Sequence, residues 1–216
     1  SGICSVQVAN SDGFIVARTD RTTPGAPFGN NGTITAIAAS PLDANLLWVG
    51  TSNGIVQVTR DMGKTWTKVS PPRLSGDANL TVWTMEASPH DAGVAYVGVE
   101  APTGDFYGGP RPGNNLFGES LVALDLETGQ RKWHYQFVHH GIWDHDNPSP
   151  PILGDVQIKG KRVPVVAQPS KQAFLYVLNR ETGEPLFPIE ERPVPTDTDI
   201  DGEKLSPTQP FPTRPP

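Results

Sequence analysis

Short hydrophobic runs, separated by polar turn residues, recur along the chain and predict β-strands rather than helices. The runs are rich in β-branched and aromatic residues and are bounded by Gly, Pro, Asn or Asp, as is typical of strands joined by tight turns. Seven runs fit this description: residues 33–38, 46–50, 55–59, 95–99, 120–124, 163–167 and 174–178. The pattern predicts an all-β protein with two long loops, over residues 71–79 and 102–118.

Two internal repeats define the size of the structural unit. Residues 39–44, Ala-Ser-Pro-Leu-Asp-Ala, recur 48 positions later as Ala-Ser-Pro-His-Asp-Ala at 87–92. The segment 123–129, which ends in Glu-Thr-Gly, recurs 54 positions later at 177–183. Both spacings suit a four-stranded antiparallel propeller blade. We therefore expect an open or incomplete β-propeller of about four to five blades.

Composition narrows the possible functions. The 22 glycines and 23 prolines argue against long helices, and no apolar run approaches the length of a membrane span. The net charge is -6, and the absence of a lysine or arginine cluster makes nucleic acid an unexpected partner. Cys4 is the lone cysteine, so neither an internal disulfide nor a multi-cysteine zinc site can form. Because the sequence starts with Ser1 rather than Met, we expect a processed chain or a fragment.

Residues 59–66, Thr-Arg-Asp-Met-Gly-Lys-Thr-Trp, match the Asp-box, a hairpin turn in which Asp caps backbone amides. Together with the Ser-Pro-x-Asp-Ala repeats, residues 33–100 resemble the BNR repeats of sialidase-like, sortilin-like and xyloglucanase-like propellers. The resemblance implies a structural role for Asp61 and a position for Trp66 buried beneath the turn. We do not expect Asp61 to be catalytic.

Residues 105–216 resemble a different propeller family. The similarity rests on the segments 107–116, 123–133, 139–148, 171–183 and 188–195, which include Ala-Leu-Asp-Leu-Glu-Thr-Gly and His-His-Gly-Ile-Trp-Asp-His-Asp. Their order is similar to that of the glucose dehydrogenase-like quinoproteins, which use pyrroloquinoline quinone (PQQ). The resemblance implies oxidation of a sugar or alcohol by hydride transfer to PQQ. It also implies that Trp133 packs between neighbouring blades. The change from one family resemblance to the other divides the chain into regions 1–100 and 101–216.

The same resemblance implies roles for individual residues. Asp144 corresponds to the carboxylate that takes the substrate hydroxyl proton, and Lys171 to a cation that hydrogen-bonds the quinone oxygens. Trp143, beside Asp144, is expected to contact the cofactor. Glu100 and Asp144 are the expected ligands of Ca²⁺, which takes oxygen donors and acts as a Lewis acid.

Two alternatives remain open at this stage. His139, His140 and His145, with Asp144 and Asp146, are compatible with a transition-metal site, but such residues in an irregular loop more often serve as turn and capping groups. The chain is alternatively a non-catalytic propeller fragment, used for binding or as a scaffold, or a chimeric chain with no activity of its own.

The implied family also sets expectations about partners and location. The quinoprotein-like region lacks the N-terminal blades that would complete a cofactor site. A membrane or electron-acceptor partner is expected to bind through such missing regions. Unpaired strand edges of an open propeller favour self-association. A quinoprotein of this kind is expected to be periplasmic or secreted.

Overall fold

The protein folds into consecutive antiparallel strands. The structure is a computed structural model and describes residues 5–9, 15–20, 34–69, 80–102, 104–125 and 127–214. Within these ranges there are fifteen strands and no helix, and therefore no helix that could span a membrane. The strands are β1 (Ser5–Ala9), β2 (Ile15–Asp20), β3 (Ile34–Ala39), β4 (Leu47–Thr51), β5 (Val56–Thr59), β6 (Thr67–Lys68), β7 (Val82–Ala87), β8 (Val94–Val99), β9 (Ser120–Asp125), β10 (Arg131–Gln136), β11 (Ile152–Ile158), β12 (Lys161–Pro169), β13 (Leu175–Asn179), β14 (Ile189–Pro193) and β15 (Thr208–Pro212).

Each strand pairs with its neighbour in the chain. Strands β3 to β6 form one four-stranded sheet and β7 to β10 form a second, both in sequential order. Strands β11 to β13 form a three-stranded sheet, while β1 with β2 and β14 with β15 form two-stranded pairs. All pairings are antiparallel. The predicted all-β class and four-stranded antiparallel blades are confirmed.

The first two sheets share a hydrophobic core. In β3 the side chains alternate, so that Ala36 and Ala38 are buried while Ile37 faces solvent. A Cβ at Gly50 would lie 2.2 Å from Cγ1 of Val82, so the absence of a side chain there lets β7 pack closely against β4. Trp48, with no exposed surface, is the largest side chain of this core.

The second and third sheets meet around Trp133. Its indole is 7% exposed and packs against Gly183, where an added Cβ would lie 2.7 Å from the ring. The indole Nε1 donates a hydrogen bond of 3.0 Å to the Arg180 carbonyl, which also accepts 2.9 Å from the Tyr96 hydroxyl. The predicted packing of Trp133 between blades is confirmed.

The Asp-box segment forms a turn held by its own polar groups. Asp61 Oδ1 accepts a 2.8 Å hydrogen bond from the Thr65 amide, and Oδ2 accepts one of 2.6 Å from the Thr65 hydroxyl. These bonds, with one from Thr59, lower the pKa of Asp61 to about 2. Gly63 is in the left-handed region with φ of 87°. The arrangement accords with a structural role for Asp61, whereas Trp66 is only half-buried, less than predicted.

The predicted boundary between the two family resemblances, at residue 100, falls inside the second sheet. Strands β7 and β8 lie before this position and β9 and β10 after it, yet all four pair in one sheet. The long loop at 102–118 therefore connects β8 to β9 within that sheet. The predicted loop at 71–79 lies outside the described residues. The division of the chain into regions 1–100 and 101–216 stays a prediction.

Candidate functional site

Antiparallel pairing brings the ends of three strands of the second sheet together, and several acidic residues lie in the loops at these strand ends. The chain leaves β8 at Val99 and enters β9 at Ser120, and these two residues pair directly. It leaves β10 at Gln136, which also pairs with Ser120. Glu100 therefore follows β8 at this end of the sheet, and the loop that follows β10 carries Asp144 and Asp146.

Lys171 contacts this loop from the turn between β12 and β13. Its Nζ lies 2.9 Å from the Asp144 carbonyl oxygen and 3.3 Å from Asp144 Oδ2. It also donates a hydrogen bond of 2.9 Å to Asp146 Oδ2. The structure thus brings the sequence-predicted Asp144 and Lys171 together and adds Asp146 as a second carboxylate on the same ammonium group.

The two carboxylates differ in their acidity. A hydrogen bond with Asp146 is the main cause that holds the pKa of Asp144 below its ordinary value, and Lys171 lowers it further. Burial raises the pKa of Asp146, although Lys171 and the Ala101 amide oppose the increase. Desolvation lowers the pKa of Lys171, but both carboxylates outweigh it and hold this pKa above its usual value. Asp144 is therefore the more acidic carboxyl group of the pair.

The loop that carries these carboxylates has a constrained backbone. Asp144 has a φ of 54°, in the left-handed region that side chains other than glycine rarely occupy. At the downstream end, Asn147 is buried and its Nδ2 donates to the carbonyls of Val99 at 2.9 Å and Ser120 at 3.0 Å. The loop is thus tied to the ends of β8 and β9, and this attachment determines where Asp144 lies.

Glu100 is close enough to this group to interact with it electrostatically. Burial raises the pKa of Glu100, a hydrogen bond from Thr81 opposes this, and the charges of Asp146, Asp105 and Asp144 raise the pKa further. Among the residues that the structure describes, no three His, Cys, Asp or Glu side chains are grouped so as to hold a metal ion. The donor chemistry of Glu100 and Asp144 suits a hard cation such as Ca²⁺, but these two alone do not complete a coordination sphere.

Trp143 projects from the loop next to a cavity. Its side chain is among the most exposed apolar groups of the described residues, at 72%. A cavity of about 490 Å³ lies between this loop and the segment 194–209, with Trp143, His145 and Gln172 in its lining. Trp143 is therefore accessible to a molecule in the cavity, whereas Asp144 and Lys171 do not line it.

Two of the neighbouring histidines have partners within the protein. His140 is buried; its Nδ1 lies 2.7 Å from the Gly113 carbonyl and its Nε2 lies 2.8 Å from Glu203 Oε1. His139 lies 3.0 Å from Gln136 Oε1 and 3.1 Å from Glu191 Oε1. By contrast, Nδ1 of His145 is buried without a hydrogen-bond partner among the described residues, so the role of the three histidines as turn and capping groups stays a prediction.

Sequence reasoning missed Glu119 near the loop and named Asp146 only as part of an alternative transition-metal site, not as a partner of Lys171. Asp146 follows Asp144 by two positions, and the Asp-His-Asp pattern was the available signal for a second carboxylate. Glu119 is 1% exposed and lies beneath the loop. It follows Gly118 in an irregular segment with no hydrophobic pattern that would indicate its burial.

Comparison with known proteins identifies the family of this chain. A sequence model of the glucose/ethanol/alcohol dehydrogenase family, PQQ β-propeller domain, matches residues 49–216. The chain is 38% identical over 130 residues to the quinoprotein glucose dehydrogenase of Escherichia coli, covering 60% of this chain and 16% of that protein. It is 37% identical over 133 residues to the glycerol dehydrogenase large subunit of Gluconobacter oxydans, covering 61% and 18%. The chain thus spans about a sixth of the length of these relatives.

A solved structure is similar in fold. The quinohemoprotein alcohol dehydrogenase from Comamonas testosteroni superposes with a TM-score of 0.64 over 97% of this chain and 35% of that chain, at 21% sequence identity. The family match begins at residue 49 and includes much of the region in which the sequence resembles BNR repeats. Because this match covers most of the chain and the strands form propeller blades, the chain belongs to the PQQ-dependent glucose/ethanol/alcohol dehydrogenase β-propeller family.

Proposed function

We propose that this chain is part of a PQQ-dependent oxidoreductase that oxidises a sugar or an alcohol, with Asp144 as the general base. The observation that carries the proposal is the position of the Lys171 ammonium group. It lies in the turn between β12 and β13 and contacts both Asp144 and Asp146 in the loop that follows β10. When bound, PQQ supplies the quinone that accepts the hydride. The similarity to sugar and polyol dehydrogenases supports the substrate class.

Asp144 has the properties that a general base needs. Its side chain is 41% exposed, so a substrate hydroxyl group can reach it. The lowered pKa keeps it ionised, so a carboxylate oxygen can accept the hydroxyl proton, and it also makes Asp144 a weaker base than an unperturbed aspartate. Lys171 touches the same carboxylate and so holds it in place. Its three N–H donors are directed at the Asp144 carbonyl, Asp144 Oδ2 and Asp146 Oδ2, so a quinone oxygen would replace one of these acceptors.

Trp143 and Glu100 are the further residues that we assign to cofactor and cation. The exposed indole of Trp143 offers a flat apolar surface for a planar ring system. Glu100 and Asp144 would contribute carboxylate oxygens to Ca²⁺. The charges of Asp146, Asp105 and Asp144 raise the pKa of Glu100, so a bound cation would relieve an electrostatic repulsion that already exists.

The assignment carries proposals about the environment of the protein. We place the whole protein in the periplasm or outside the cell, where it would pass electrons to a membrane or soluble acceptor through regions beyond this sequence. Open blade edges favour pairing with the remaining blades or with another copy. Nucleic acid is not among the proposed partners, because the net charge is -6.

The proposal is tested with the full-length protein loaded with PQQ and Ca²⁺. Asp144→Asn preserves the shape of the side chain but removes the base, so turnover should fall by about 10²- to 10⁴-fold while PQQ binding persists. Asp43→Asn is the matched control, because Asp43 is exposed and caps a turn in the first sheet. Dye-reduction rates and PQQ absorbance are the measurements. Full activity in Asp144→Asn would eliminate Asp144 as the base, and a wild-type protein that never binds PQQ would favour a non-catalytic propeller.

A further inference from the structure

Glu119 is a buried glutamate tied to the strands that frame the site. Its amide donates a hydrogen bond of 3.0 Å to the Glu100 carbonyl. Its own carbonyl accepts a hydrogen bond of 2.8 Å from the Phe137 amide. The residue has a φ of 51°, a conformation that glutamate seldom adopts. Burying a carboxylate is costly unless nearby groups satisfy it, so its neighbours reveal what it does.

The Glu119 carboxylate packs directly against Gly141, at the start of the loop that carries Asp144. A Cβ added at Gly141 would lie 2.0 Å from Glu119 Oε2 and 2.2 Å from Oε1, so only glycine fits beside the carboxylate. The backbone amides of Gly141 and His145 favour the ionised form of this carboxylate, while its Oε1 is buried without a hydrogen-bond partner among the described residues. The side chain therefore packs against the loop at its start, at Gly141.

Arg111 holds the same glycine from its carbonyl side. Its Nη2 donates 2.9 Å to the Gly141 carbonyl and 3.2 Å to the Gly104 carbonyl, while its Nη1 is hydrogen-bonded to Asn115 Oδ1. The Arg111 charge also favours the ionised form of Glu119, against the burial that raises the pKa of Glu119 to about 8. Gly141 thus packs against Glu119 and has its carbonyl held by Arg111, and both side chains come from the β8–β9 connection.

The loop is consequently fixed at its two ends. Gly141 is held by Glu119 and Arg111, and Asn147 is anchored to the ends of β8 and β9. Between these points the backbone passes through the left-handed conformation of Asp144. A strained conformation persists only where its surroundings determine it, and this loop has such anchors on both sides.

We propose that Glu119 and Arg111 form a clamp on Gly141 that holds the segment 141–147 so that Asp144 and Asp146 meet Lys171. Both are positioning residues, since they act through the loop and the structure gives neither a contact with Lys171. The catalytic consequence of the clamp rests on the proposed function of Asp144. The physical contact at Gly141 does not depend on it.

The contact is tested by amide hydrogen exchange in the full-length protein without cofactor. Glu119→Ala removes the carboxyl group that packs against Gly141, so exchange in 141–147 should become at least about tenfold faster, while β4 and β5 are unchanged. Glu119→Gln keeps a side chain of nearly the same shape against Gly141 and should restore part of the protection. Arg111→Gln removes the bond to the Gly141 carbonyl from a half-buried position and serves as the second variant where Glu119→Ala does not fold.

A double-mutant cycle adds a test that depends on the geometry. The methyl group of Gly141→Ala collides with the carboxylate, and Glu119→Ala makes room for it, so the double variant should be more stable than the two single changes predict. Gly154→Ala is the matched control, because no atom lies within 4 Å of a Cβ at Gly154. Unchanged loop exchange in both Glu119→Ala and Arg111→Gln, or strict additivity in the cycle, would overturn the clamp.

Steady-state kinetics with PQQ then separate the clamp from the proposed function. A loop displaced by about 1 Å should lower kcat by up to about 10²-fold with little change in KM in Glu119→Ala, and Glu119→Gln should recover part of it. Faster loop exchange with normal kcat rejects the positioning role if Asp144→Asn is inactive. The same result with a fully active Asp144→Asn rejects the proposed function and leaves the contact itself intact.

Discussion

The turn after β9 and the turn after β13 have the same local structure but different neighbours. In the first, Asp125 Oδ1 accepts a hydrogen bond of 3.0 Å from the Glu127 amide; in the second, Asn179 Oδ1 accepts one of 2.8 Å from the equivalent Glu181 amide. Gly129 and Gly183 each donate their amide to the carbonyl of the first turn residue, at 3.0 and 2.8 Å. Both glycines have positive φ, 68° and 77°.

The difference lies in what each glycine touches in the preceding sheet. A Cβ at Gly129 would lie 2.8 Å from the Cα of Val69, whereas a Cβ at Gly183 would lie 2.7 Å from the ring of Trp133. The first contact is with main chain and the second is with a buried indole. The comparison teaches that a shared turn sequence produces a shared turn, while the residue across the interface decides how much side-chain packing holds two blades together.

The largest expected effect comes from Trp133→Ala. Loss of this buried indole should lower the free energy of unfolding by about 3–5 kcal/mol, because it leaves a cavity between two sheets. The counterpart Val69→Ala should cost much less, because it leaves the main-chain contact with Gly129 in place. Urea unfolding measures both. Equal losses in the two variants would show that the two interfaces do not differ as the structure indicates.

Glycine substitutions should have an intermediate effect on stability. Double variants should then distinguish the two interfaces, because removal of the neighbouring side chain should restore stability at one glycine and not at the other. Gly183→Ala and Gly129→Ala each place a side chain at positive φ and against a neighbour, at a cost of about 1–3 kcal/mol. Combining Gly183→Ala with Trp133→Ala removes the steric part, since the ring is gone. Combining Gly129→Ala with Val69→Ala should give no such relief, because the main-chain atoms remain. Thermal unfolding of the two double-mutant cycles is the measurement, and rescue at Gly129 would contradict this prediction.

The smallest effect is a difference in pH dependence between the turns. Hydrogen bonds from Thr128 lower the pKa of Asp125, so the charged carboxylate stabilises the folded state above its unfolded pKa of about 3.9. This stabilisation is lost as the pH falls through the lower folded-state pKa. Asp125→Asn keeps the acceptor oxygen and should flatten the dependence of stability on pH in the acid range. Asn179→Asp should steepen it, and urea midpoints measured from about pH 5 downwards test both.

Local sequence predicted seven of the fifteen described strands and several of the turns. Each of the seven predicted runs overlaps one strand, because alternating or continuous β-branched residues bounded by turn formers need only their neighbours in the chain to favour that structure. The Asp61 turn and the two Glu-Thr-Gly turns follow from side chains that cap amides two to four positions away. The family resemblance identified Asp144 and Lys171 as site residues. Their separation of 27 positions in the sequence did not by itself predict the distance between their side chains.

Only the tertiary structure decided how the site residues meet. The contact of Asp146 with Lys171, the burial of Glu119 against Gly141 and the pairing of His140 with Glu203 join residues that are 25, 22 and 63 positions apart. The depth of Trp66 was also decided there, since it is only half-buried although its turn forms as predicted. Burial, proton affinity and contact across sheets depend on which surfaces come together, and no single segment contains that information.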